Sequence, residues 1–366
     1  MRVIHLASNK VWAGGERYIA ELCRRMRREL LDVRVVCRAR SVARRLDSDA
    51  IPTAVAPLRG FVDLVTPFMM LRWIGPQETV IHVHNFKDAF TAIVARMLSP
   101  HRGRCRVVVT RHLVKAASNS ALYRFIYRRI DHFIFVSALA QRQFMSSGVR
   151  IEPGRASVIM NSLPEPSDEG RACDDLRAQH HIDRRKCLLT YLGRLHEEKG
   201  IEVLLMALRE VDPARYHLLI VGSGTEEYSA RLKSLALRYA IAENVTFVGH
   251  VEHPMAVIRQ SDIGVLPSIA PEAFGLSNLE FMQAGKPQVC SNNGAQVEFL
   301  EDQTTALLTP PNDAVCLAEA INRLIASPEL RLMMGSEARL VQQRSYTYDR
   351  FYDQVSEVYA SCGASH

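Results

Sequence analysis

Residues 262–287 read DIGVLPSIAPEAFGLSNLEFMQAGKP. The run parses as strand, loop, helix and stop, with Gly285 and Pro287 closing the helix. The loop therefore lies at the carboxyl end of a strand, where doubly wound sheets hold their ligands. Backbone amides of Phe274, Gly275 and Leu276 at the helix start suit a phosphate. Glu272 precedes the helix and Glu280 falls in its first turns. Carboxylates are poor phosphate ligands but good acceptors for sugar hydroxyls. A plainer reading also fits: Ser277-x-x-Glu280 matches a capping box, and Glu272 matches a solvated loop acid.

Strand and helix patterns alternate on both sides of this stretch. MRVIHLA, DVRVVCR, TAVAPL, TVIHVHN, CRVVVTRH and HFIFVS read as strands of the first half. ERYIAELCRRMRREL and stretches near 87–98, 119–130 and 138–147 read as its helices. KCLLTYLGRL, YHLLIVGSG, NVTFVGH, DIGVLPS, KPQVCSN and TALLTP repeat the strand pattern in the second half, with a helix near 313–326 and an aromatic-rich final helix. Residues 327–345 receive no element. Such alternation implies parallel sheets covered on both faces. The expected class is α/β, with two facing doubly wound Rossmann-like domains and a ligand cleft between them. The expected division is 1–163, a linker at 164–184, 185–345, and a last helix at 346–366.

The 366 residues carry a net charge of +7, and the sign is unevenly spread. Residues 1–160 hold 27 Lys and Arg against 11 Asp and Glu, a net +16; the remaining 19 against 28 give −9. Arg24, Arg25, Arg27 and Arg28 cluster in one amphipathic segment, and Arg124, Arg128 and Arg129 in another. Such charge suits an anionic membrane or an anionic acceptor. Nucleic acid is not an expected partner, because no binding-module signature appears. The best apolar run, FVDLVTPFMMLRWIG, is broken by Asp63, Pro67 and Arg72. The start runs straight into a strand pattern. The expectation is a cytoplasmic protein, peripheral on the inner face of the membrane. Eight scattered cysteines with no C-x-x-C pair read as reduced thiols. No metal-ligand spacing appears, and Asp47-x-Asp49 reads as a solvated helix end.

Further stretches carry candidates. In YLGRLHEEKG, Arg194 and Lys199 follow a strand and suit a diphosphate, one by a guanidinium fork and one as a point charge. In NKVWAGGERY, Gly14 and Gly15 permit close backbone approach, without P-loop or dinucleotide spacing. VGSGTEE places Glu227 where a third glycine would stand, which disfavours a nicotinamide site. His84 and His112 end strands of the first half.

Taken together, AGGERY, RH at 111–112, FVS, VIMNS, GRLHEEKG, LLIVGSG, VTFVGHV and PEAFGLSNLEFMQAGKP followed by GAQVEFL resemble the retaining glycosyltransferases of family 4, which have the GT-B fold. Nearly the whole chain takes part. The resemblance implies that Glu272 contacts donor-sugar hydroxyls and Glu280 the nucleotide ribose. Arg194 and Lys199 would neutralise the departing diphosphate in place of a metal, and His112 would sit beside the transferred sugar. Gly15 would lie near the diphosphate with Gly14, amides of Phe274, Gly275 and Leu276 would bind sugar and phosphate, and Gly249, His250 and Val251 would line the base. The family often has Asn-Gly where this chain has Asn161-Ser162, and His-Asp where it has His112-Leu113. The implied reaction moves a sugar, with retention, from a nucleotide sugar to a cell-surface glycan or lipid-linked saccharide, with no cofactor or metal. Alternatives are a sugar-nucleotide epimerase or phosphorylase on the same fold, or a non-catalytic binder of anionic glycans or membranes.

Overall fold

The computed structural model describes every residue except 11, 13, 166–174, 365 and 366. The chain divides into two units: Met1–Leu163 together with Tyr348–His366, and Pro164–Thr347.

Seven parallel strands form the first sheet: β1 (Arg2–Ala7), β2 (Asp32–Cys37), β3 (Thr53–Val55), β4 (Thr79–Val83), β5 (Cys105–Arg111), β6 (His132–Phe135) and β7 (Ala156–Val158). Their order is β3-β2-β1-β4-β5-β6-β7. The inner strands are buried on both faces, which explains continuous apolar runs such as VVVT rather than alternation. Helix Gly14–Arg28 buries Ile19, Leu22, Cys23 and Met26 at helical spacing. They meet Phe351, Val355 and Tyr359 of the last helix, Tyr348–Ala364, in one core.

Six parallel strands form the second sheet: β8 (Cys187–Leu192), β9 (Tyr216–Val221), β10 (Val245–Gly249), β11 (Ile263–Leu266), β12 (Gln288–Ser291) and β13 (Leu307–Thr309). The order β10-β9-β8-β11-β12-β13 places the reversal of winding between β8 and β11. Residues 175–184, read from sequence as linker, belong to this unit: Leu176 is buried and Arg177 pairs with Asp262 at 2.8 Å. Pro164, whose carbonyl accepts from Gln283 Nε2 at 3.1 Å, belongs to this unit too, and 166–174 lie outside the described residues.

The span left unassigned, 327–345, contains an 18-residue helix, Pro328–Ser345, capped by Ser327. Its buried face is Met334, Gly335, Ala338 and Gln342, so it carries no apolar stripe to read. Gly335 lets it close on the end of helix Leu276–Gln283: a Cβ there would stand 2.2 Å from the Gly285 carbonyl oxygen. Seven cysteines are free thiols, and Cys173 lies outside the described residues. No described helix is long and apolar enough to cross a membrane.

Candidate active site

The loops leaving β8 and β11 meet at the reversal point of the second sheet. Amides of Ile269 and Ala270 both donate to the Glu198 carbonyl, at 2.8 and 3.1 Å. Gly200, at φ +69°, is where the first loop turns into its helix, and a Cβ there would lie 2.0 Å from the Pro267 carbonyl oxygen. This close approach delivers Lys199 to Glu272: Nζ lies 2.5 Å from Oε1, with both side chains about one-fifth exposed. Ser268 Oγ donates to the same carboxylate oxygen. Gly294 gives the Glu272 backbone room, since a Cβ would come within 2.5 Å of its nitrogen.

Arg194 stands on the same rim. The Tyr191 hydroxyl donates to its carbonyl at 2.7 Å, fixing the backbone. Its side chain is exposed and makes no ion pair or hydrogen bond with a described residue.

Across the rim the helix Leu276–Gln283 begins at Gly275, which has φ +94° and ψ 69°. Ser277 is therefore inside the helix, and the capping-box alternative fails: the cap is a glycine with no side-chain bond. The amides of Phe274, Gly275 and Leu276 donate to no described residue. Phe274 is anchored instead by its ring, buried 4.9 Å from the Phe299 ring. Glu280 is buried in the helix. Gly285, at φ +67°, ends the helix at the position read from sequence.

The glycines of VGSG have a packing role. A Cβ on Gly222, at φ +137°, would lie 1.8 Å from the Gly193 carbonyl oxygen, and one on Gly224 would lie 2.2 Å from that of Leu195. The loop after β9 thus zips against the loop that carries Arg194. Gly222→Ala is expected to destabilise the second unit by about 3 kcal/mol, because alanine adds left-handed strain to a direct clash. A fall of roughly 6–12 °C in its calorimetric transition follows; an unchanged transition would rule out the zipper. Beside it, Gly249 takes φ +83° at a β-bulge and accepts from the Gly222 amide at 2.8 Å. His250 is exposed, and Val251 packs against a small apolar cluster.

Two family models span most of the chain. Glycosyltransferase Family 4 matches residues 12–163, and Glycosyl transferases group 1 matches residues 173–341. The chain belongs to glycosyltransferase family 4. This family 4 glycosyltransferase is 29% identical over 303 residues to the alpha-D-kanosaminyltransferase of Streptomyces kanamyceticus, covering 81% of this chain and 74% of that protein. It is 26% identical over 248 residues to the lipopolysaccharide core biosynthesis mannosyltransferase LpcC of Rhizobium leguminosarum bv. viciae, covering 66% and 68%. Among solved structures, Anabaena HepE in complex with UDP and glucose matches with a TM-score of 0.85 at 20% identity, over 99% of this chain and all of that one. The shared fold is the α/β GT-B type.

The remaining predicted residues of the glycosyltransferase lie in its first unit. Gly14 and Gly15 open helix Gly14–Arg28; a Cβ on Gly15 meets only Asn9 Nδ2, at an ordinary 3.7 Å. Tyr18 from that helix packs edge-on to His112, with ring centres 5.0 Å apart. His112 is one end of a histidine chain. Its Nε2 lies 3.4 Å from His84 Nδ1, and His84 Nε2 lies 3.0 Å from His5 Nδ1. His82 lies alongside His84, ring centres 4.2 Å apart and tilted by 39°, with its nitrogens 2.5 Å from the Tyr359 hydroxyl and 2.7 Å from the Thr110 hydroxyl. Nitrogens of His5, His82 and His84 lie within 4.8 Å of one another, but His82 has both of its own engaged. The group is hydrogen-bonded rather than an open ligand set. Burial pushes His5 down to about 3 and His112 to about 4, and holds His82 and His84 well below the ordinary imidazole value. All four are neutral at pH 7. Asp47 and Asp49 are engaged with Thr53 and Arg24 respectively.

Proposed function

We propose that this enzyme transfers a sugar, with retention and without a metal, from a nucleotide sugar to a glycan or lipid-linked saccharide acceptor. One observation carries the reading: Arg194, the Lys199–Glu272 pair and the unengaged amides of Phe274, Gly275 and Leu276 share the reversal point of the second sheet. Departure of a nucleoside diphosphate leaves negative charge on its terminal oxygens. Arg194 and the helix-start amides supply fixed donors for those oxygens, and Lys199 keeps two N–H groups beyond its bond to Glu272. Glu272, positioned by Lys199 and Ser268, accepts from hydroxyls of the donor sugar. Glu280 accepts from the ribose, and residues 249–251 border the base. No nucleophilic side chain is required: the acceptor hydroxyl attacks from the face the diphosphate leaves. Its proton passes to a diphosphate oxygen as the glycosidic bond breaks and the new one forms. An anionic membrane surface, met through the basic first unit, would bring a lipid-linked acceptor to the enzyme.

The test is a melting panel of UDP, GDP, ADP, dTDP and their sugars, with and without magnesium. A ligand at 100 times its dissociation constant stabilises by about 2.7 kcal/mol, roughly 5–10 °C for a unit of this size. One nucleotide raising the melt equally in magnesium and in chelator is the expected result. A shift that needs magnesium would overturn metal independence, and no shift with any nucleotide would overturn the donor assignment. With that donor, a new glycoside of retained configuration is expected rather than an isomer or a sugar phosphate.

A further inference from the structure

The strongest unexplained surface lies in the first unit, at residues 59–68. Here the usual polarity is inverted. Asp63 is buried, with 2% exposure, while Val62, Leu64, Val65 and Phe68 are 76%, 72%, 55% and 62% exposed. The cause is local. Asp63 Oδ1 accepts from the amides of Val65 and Thr66, at 3.1 and 2.9 Å. Its Oδ2 accepts from the Arg59 amide at 3.0 Å and the Thr66 hydroxyl. The loop is wrapped around its own carboxylate, and its aliphatic side chains are turned outward.

Phe61 ties this loop to a second exposed element. Its ring lies 5.6 Å from Phe90 and 5.5 Å from Tyr123. Tyr123 belongs to helix Ala121–Tyr127, which exposes Leu122 (46%) and Phe125 (39%). Arg129 stacks over the Phe125 ring at 3.5 Å. Arg59, Lys87, Arg124 and Arg128 are exposed and make no ion pair with a described residue. The nearby acids Asp63 and Asp88 are both buried. Helix Gly14–Arg28, equally basic in sequence, differs: Arg24 pairs with Glu21 and Asp49, and Arg25 with Glu29 and Asp349. Two of its four clustered arginines are thus paired with acids within the first unit, and Arg27 bonds to the Ala50 carbonyl.

We propose that the face formed by residues 59–68 and helix Ala121–Tyr127 docks the protein on an anionic lipid bilayer, with Leu64 and Phe68 entering the interface and Arg124 and Arg128 on the headgroups. This deepens the membrane partner proposed above and names the surface that meets it. Apolar side chains flanked by unpaired cations match the two halves of such an interface. A two-fold dimer through this face would set the cationic flanks against each other. Val62, Leu64, Val65 and Phe68 are each more than half exposed, which suits a fluid surface better than the enclosing contacts of a bound peptide.

The test is co-sedimentation of the full chain with vesicles of phosphatidylcholine, with and without phosphatidylglycerol. Binding that requires phosphatidylglycerol and weakens with salt is expected. Arg124→Gln and Arg128→Gln each weaken it about fivefold, and Leu64→Ser with Phe68→Ser weakens it more than tenfold. A Leu64→Trp reporter shifts its emission to the blue on vesicle addition. All of these positions are exposed, so melting temperature and the nucleotide-induced shift stay at wild-type values. That shift reads the donor site separately, so a failed transferase reading and a failed docking face are distinguishable. Wild-type protein that ignores anionic vesicles, serine variants that bind undiminished, or binding only to an acidic protein partner would each overturn the proposal.

Discussion

Arg194→Ala is expected to lower kcat/KM for glycosyl transfer by about 10²–10³-fold, the usual cost of removing one fixed donor from a charge-stabilising site. The melting temperature should hardly move. The guanidinium is exposed and bonds to no described residue, and the backbone is fixed by the Tyr191 hydroxyl through a carbonyl that alanine retains. Surface changes of this kind stay within roughly 0.5 kcal/mol. The loss should fall on kcat more than on donor binding, because the charge it meets develops as the diphosphate leaves. Arg194→Lys, which keeps the charge but loses the planar fork, should recover part of the rate. Steady-state kinetics on both variants decide the matter, and wild-type turnover in Arg194→Ala would remove the residue from the mechanism.

The second large effect is acid lability of the first unit. Unfolded, its histidines titrate near 6.5; folded, His5 and His112 are pushed down to about 3 and 4, and His82 and His84 well below their ordinary value. The unfolded state therefore binds more protons. The stability the neutral rings contribute is fully present above about pH 6.5 and is lost as the pH falls toward the folded values. Between pH 7 and 5.5 each ring that stays neutral costs about 1 kcal/mol, so the four together cost about 4–5 kcal/mol. Asp88 works in the opposite sense, since burial raises its carboxyl to about 6; it returns somewhat under about 1 kcal/mol over the same range. Both tryptophans, Trp12 and Trp73, lie in the first unit, so urea titrations followed by tryptophan emission report on it alone. Equal stability at pH 7 and 5.5 would show that the rings are not held neutral. His84→Gln should reduce the pH slope.

The fold was readable because alternating buried strands and amphipathic helices leave two separate periodicities in the residues. Helix Pro328–Ser345 was not, because its inward face uses Gly335, Ala338 and Gln342 for close approach instead of aliphatic bulk. At the site, Glu272, Gly275 and Glu280 stand in one local pattern, and Arg194 and Lys199 in another. What joins the patterns was invisible: the salt bridge from Lys199 to Glu272 depends on Gly200 and Gly294, whose roles lie in atoms distant in sequence. His5 and His82 were missed for a related reason. Each sits within a buried strand, where a histidine reads as a core residue, and only the pairing of β1 with β4 brings them together.

The last helix also bears on how the chain is made. The first unit opens the sequence, yet its core includes Phe351, Val355, Val358 and Tyr359, and the Tyr359 hydroxyl satisfies His82. A chain leaving the ribosome exposes residues 1–163 long before residue 348 exists. During that interval the unit lacks one wall of its core, and His82 lacks a partner. The second unit, continuous from Pro164 to Thr347, has no such wait. Domains usually fold in order of synthesis; here the one begun first is completed last.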